Sequence, residues 1–103
     1  MARLLKIVGQ EELAGRIYTK NMQFDLAHKS YQMAYVRLIA PNEDKAKKLI
    51  SWGILFGDAF EYDLAQHYFR RAFSIANSKK TRQEAVRLKF VYLERIRLGR
   101  LES

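Results

Sequence analysis

Two stretches of the chain carry the same order of ring, acidic, apolar and small positions. The first runs Phe24-Asp25-Leu26-Ala27 and continues to Tyr31 and Ala34; the second runs Tyr62-Asp63-Leu64-Ala65 and continues to Phe69 and Ala72. The copies are offset by 38 residues, Ala27 against Ala65. Upstream of each lies a matching pair, Gly15 with Tyr18 and Gly53 with Phe56, at the same distance from the first alanine. Steps of four and three put alanine, ring and alanine on one face of a helix. Alternating small and large side chains let a second helix approach closely while the ring fills the gap. Glycine inside a helix costs about 0.5–1 kcal/mol relative to alanine. Two glycines at equivalent places therefore point to close helix–helix contact.

The interruptions fall between these faces. Asn21–Asp25 separates the first pair of helices, Gly57–Glu61 the second, and Ala40–Asp44 divides the two units. Pro41 cannot occupy a helix interior, and Asn42 reads as an N-cap followed by acidic first-turn residues. Asn77-Ser78 closes the fourth helix, and Thr81 with Glu84 has capping-box spacing that opens a fifth. Gly99 reads as a C-cap. The pattern predicts helices over about 8–20, 24–39, 43–57, 61–76 and 82–98, with residues 1–7 either extending the first helix or forming an extended arm.

Composition narrows the class. With 103 residues, 49% hydrophobic and 13% aromatic, one globular domain spanning 1–103 is expected. One proline and five glycines are too few for an all-β protein with many tight turns. No cysteine is present, which removes disulfides, zinc–thiolate sites and cysteine nucleophiles and favours a reducing, cytoplasmic setting. The start of the chain is too short in apolar length for a signal-peptide core, and no stretch reads as a membrane span. The formal net charge is +8, which favours an acidic partner.

The glycine–ring and alanine–ring–alanine positions resemble the tetratricopeptide repeat, a helix–turn–helix unit of about 34 residues. Gly15, Tyr18, Ala27, Tyr31 and Ala34 match in a first repeat of about 8–41, where Pro41 falls at the family's closing proline. Gly53, Phe56, Ala65, Phe69 and Ala72 match in a second of about 46–79, which lacks that proline. Trp52 stands where leucine is common, and the gap between units is longer than in a strict array. The resemblance implies an all-α, TPR-like α–α superhelix of two helical hairpins plus a capping helix at about 82–98. The alternative is a generic five-helix bundle.

In that family, the first helices of successive units line a concave groove. The matching positions here are Glu12, Arg16, Thr19 and Lys20 in unit one and Lys47, Ile50, Ile54 and Asp58 in unit two; Arg82, Val86 and Lys89 follow if Ala85 is the small residue of the cap. Such a groove, basic at its ends and apolar in its middle, implies a protein or peptide partner that is acidic or amphipathic. The lysine–asparagine carboxylate clamp of the chaperone-binding members is absent, because Glu12 and Arg16 occupy its positions.

The segment from Lys79 to Ser103 nets +5, with eight basic and three acidic residues. Arg87, Arg95, Arg97 and Arg100 form a second basic surface there, interleaved with Phe90 and Tyr92. This supports a second reading, a basic factor associating non-specifically with nucleic acid. Apolar residues on more than one stripe of the same helix support a third, a homodimer or structural component of a larger assembly assembled through the C-terminal helix. Enzymatic constellations are lacking. No glycine-rich phosphate loop, HExxH or GxSxG occurs, and no cofactor motif is present. Asp63 and His67 sit four apart but need further ligands to hold a metal. Trp52, Phe56, Phe60, Tyr62, Tyr68 and Phe69 read as core before they read as a ligand box, with Phe60 and Tyr68 least required by the repeat. The expectation is therefore a binding module and not an enzyme.

Overall fold

The computed structural model describes residues 2–102, and side chains from 7 to 99. Five helices account for almost all of it: α1 (Ala2–Lys20), α2 (Phe24–Arg37), α3 (Asn42–Asp58), α4 (Tyr62–Ile75) and α5 (Lys79–Glu102). The described chain contains no strand. The helices pack in pairs within two compact units, Met1–Ala40 and Pro41–Ser103. In the first unit α1 pairs with α2; in the second α3 pairs with α4, and α5 packs mainly on α4 and also on α3.

The predicted small–ring faces are the packing faces. Ala27, Tyr31 and Ala34 are fully buried in α2, and Ala65, Phe69 and Ala72 are buried in α4. The glycines act as seats for the rings. A Cβ at Gly15 would lie 2.5 Å from Cε1 of Tyr31, and one at Gly53 would lie 2.7 Å from Cε1 of Phe69. Ordinary contact needs well over 3 Å, so each ring occupies the space that any side chain would take.

A third seat lies where the sequence suggests only a break. Gly57 is buried in the last turn of α3, and a Cβ there would come within 2.5 Å of Tyr92 on α5. Gly57 follows Gly53 by one helical step of four, so both present the same face. Tyr92 also stacks on Phe69 at 5.7 Å between ring centroids, linking the two seats. Around them Phe56 stacks on Tyr68 at 5.3 Å, and Trp52 meets Tyr68 edge-on. Tyr68 is thus core, whereas Phe60 is 78% exposed.

Both hairpins turn in the same way. Met22 and Phe60 have φ of 61° and 67°. The amide of Gln23 donates to the Tyr18 carbonyl at 2.8 Å, and that of Glu61 to the Phe56 carbonyl at 2.9 Å. The residues before them donate to Thr19 and Gly57. This is the Schellman arrangement, a left-handed residue followed by a bond reaching back five positions. It recurs 38 residues apart, at Met22 and Phe60, with non-glycine residues in the strained position.

Of the two alternatives for the start of the chain, extension of the first helix is the one observed over residues 2–7, since α1 begins at Ala2. Three other sequence expectations are corrected. Gly99 is not a C-cap, because α5 continues through it to Glu102. Asn42 is the first residue of α3 and not its cap; Pro41 stands at the cap position without a side-chain bond. The Thr81–Glu84 capping box does not form. Helix α5 starts at Lys79, and the hydroxyl of Ser78 accepts the Thr81 amide at 3.1 Å, while Glu84 turns to Arg87. Ser78 already satisfies the free amide, so the box has nothing left to cap.

Candidate interaction surfaces

Among the described residues of the second unit, two clefts lie on different sides of α5. One lies between α3 and the start of α5, with a volume of about 610 Å³, and Lys47, Ile50, Ser51, Lys80 and Glu84 line it. Its far wall is held by Glu43. One carboxylate oxygen of Glu43 accepts the amides of Asn77 and Ser78, both at 3.0 Å; the other accepts the hydroxyls of Ser78, at 2.8 Å, and Thr81. The first turn of α3 thereby fixes the turn that starts α5. The Thr81 hydroxyl, with the Ser78 amide and hydroxyl, lowers the Glu43 carboxyl to about 2, because each bond favours the ionised form.

The other cleft, of about 520 Å³, lies between α4 and α5 and is lined by Phe73, Lys79, Arg82, Gln83, Val86 and Arg87. No carboxylate lines it.

The expected groove residues are therefore divided. Lys47 and Ile50 line the α3–α5 cleft, whereas Arg82 and Val86 line the α4–α5 cleft. Ile54 is half-buried in α3, and Lys89 is half-buried with its carbonyl accepting the Gln66 side-chain amide at 3.2 Å. Asp58 is exposed, and its carboxylate accepts the Tyr92 hydroxyl at 2.6 Å and Arg95 at 3.3 Å. In the first unit Arg16 and Lys20 are exposed, whereas Glu12 and Thr19 are buried. The Thr19 hydroxyl donates to the Gly15 carbonyl at 2.8 Å, which turns it inward along its own helix.

Several members of the expected basic surface carry acidic partners. Arg87 is held by Glu84 at 2.7 Å, and Arg97 by Glu94. These exposed contacts add little stability, but they lower the net positive charge that a phosphate backbone would meet. Arg95 bonds Asp58 and lies 4.6 Å over the Tyr92 ring. Burial first, and then the Asp58 bond, push the Tyr92 hydroxyl up to about 12. Tyr92 itself is core, so it offers no stacking platform. The Arg100 side chain lies outside the described residues.

Sequence reasoning assigned no contact role to Glu43, Ser78, Lys80 or Phe73. For Glu43 no local signal exists, because its partners lie 34 or more positions away. Phe73 was visible as the ring next to Ala72 that faces away from the alanine stripe. Among the described residues no group of three His, Asp or Glu side chains gathers where a metal ion would sit, and no helix is long and apolar enough to cross a membrane.

Compared with known proteins, the chain matches no protein-family model, no curated protein and no solved structure.

Proposed function

We propose that this chain is a TPR-like interaction module that binds a segment of another protein, and that the cleft between α3 and α5 is its contact face. The observation that carries the reading is the cleft itself. It opens beside the first helix of the second hairpin, on the side where helical-repeat modules hold ligands, with Lys47 and Lys80 beside Ile50. A segment with one apolar side chain and adjacent carboxylates answers that chemistry. Glu43 and Glu84 on the same walls disfavour a uniformly acidic strand and favour a mixed sequence. The shared hairpin design, with Gly15 under Tyr31 and Gly53 under Phe69, supports the family resemblance. The proposed role is adaptor or scaffold, without a reaction, in a reducing cytoplasmic setting that suits a cysteine-free chain.

The basic-factor reading is weakened by the pairing of Arg87, Arg95 and Arg97 with Glu84, Asp58 and Glu94. One experiment separates the two. An array of short acidic, mixed and basic peptides and a single-stranded RNA are titrated into the full chain by fluorescence anisotropy. Mixed peptides are expected to bind, and Lys47→Glu with Lys80→Glu to weaken them by about tenfold or more, as for loss of anchoring contacts. Binding of RNA alone, lost in Arg87→Glu, Arg95→Glu and Arg97→Glu, would contradict the proposal.

A further inference from the structure

The outer side of α5 offers a second surface, independent of the α3–α5 cleft. Arg82, Val86, Phe90, Leu93 and Arg97 follow one another at steps of four, four, three and four, which aligns them as one stripe. Phe90 is 63% exposed and Leu93 39%. Beside the stripe, Phe73 of α4 is 47% exposed and forms a wall of the α4–α5 cleft. A helix that packs on one neighbour needs only one apolar face, and α5 already uses Ala85, Leu88 and Tyr92 for that. The stripe is therefore a second apolar face, flanked by cations.

We infer that this stripe and the adjoining recess dock an acidic amphipathic helix from a partner protein. Charge complementarity selects the occupant. Lys79, Arg82 and Arg87 rim the recess, and no carboxylate lines it. Of these three, only Arg87 has a carboxylate within ion-pair distance among the described residues, from Glu84 outside the recess. A helix with apolar residues at three- and four-residue steps fills the space between Phe73 and Val86 and reaches Phe90, and carboxylates on its flanks meet Lys79 and Arg82. A second copy of this chain is disfavoured. The recess of a second copy carries the same three cations and no carboxylate, so recess against recess sets like charge opposite like charge. A bilayer surface cannot follow a recess between two helices. A phosphate backbone has no use for the Phe73 and Val86 walls.

The test uses the full chain and a fluorescein-labelled helical peptide of about 18 residues, leucine at three- and four-residue steps and glutamate at most other positions. A scrambled peptide of equal composition is the control. Anisotropy is expected to show binding that Val86→Glu with Phe90→Glu weakens by about tenfold or more, that Arg82→Glu weakens less, and that Lys47→Glu with Lys80→Glu leaves within about twofold. Val86→Ser with Phe90→Ser, checked by circular dichroism, repeats the measurement in a milder background. Equal binding of the scrambled peptide, or no loss in either double variant, overturns the inference. So does a homodimer seen by light scattering that Val86→Glu dissociates, or binding to vesicles of anionic phospholipid that the same change abolishes.

Discussion

Addition of one methyl group separates the glycines into two kinds. At Gly53 it would meet the buried Phe69 ring at 2.7 Å, so that packed ring would have to shift. Gly53→Ala is expected to destabilise by about 1–3 kcal/mol as overpacking outweighs the helix-propensity gain, read by urea denaturation. Gly9 and Gly99 have no atom within 4 Å of the same methyl, so Gly9→Ala should stabilise by about 0.5–1 kcal/mol. At Met22 and Phe60 the reverse logic holds. Both are exposed and left-handed, the position glycine fills at no steric cost. Phe60→Gly should raise stability by about 1 kcal/mol by relieving that strain. Of these features, the seats at Gly15 and Gly53 are readable from spacing alone. The strained turns are not, because neither Met22 nor Phe60 is a residue type that marks a left-handed C-cap.

At the scale of elements, the start of α5 depends on the start of α3 through Glu43. Hydrogen bonding lowers its carboxyl from 4.5 to about 2, so the folded state favours the ionised form. The resulting stability is complete above about pH 4.5 and is lost as the pH falls through 2. Glu43→Gln should melt at a lower temperature at pH 6 and lose less between pH 4.5 and 2 than the unaltered chain, read by circular dichroism. The sequence shows five helices because small and large residues alternate at helical steps and Pro41 breaks the pattern. It misplaces the start of α5, because Ser78 competes with Thr81 for the same cap and the outcome depends on Glu43 from a distant helix. The division of the expected groove has a similar origin. Positions 82 and 86 share one side of α5, but which neighbour that side meets is set by Tyr92 settling on Gly57.

For the molecule as a whole, one hairpin design serves twice, and the third seat at Gly57 uses the same device to attach α5. The net charge of +8 makes some polyanion binding expected whatever the function. Such binding should fall steeply between low and moderate salt, whereas peptide binding anchored on an apolar side chain should persist. The claim on which the account rests is the glycine-to-ring contact in both hairpins, and a double-mutant cycle tests it most directly. Gly15→Ala with Tyr31→Leu, and Gly53→Ala with Phe69→Leu, are compared with their single changes by urea denaturation. A shortened side chain removes the clash that alanine creates, so each double variant should be more stable than the sum of its singles by about 1 kcal/mol or more. Additivity within about 0.3–0.5 kcal/mol in both hairpins would contradict it.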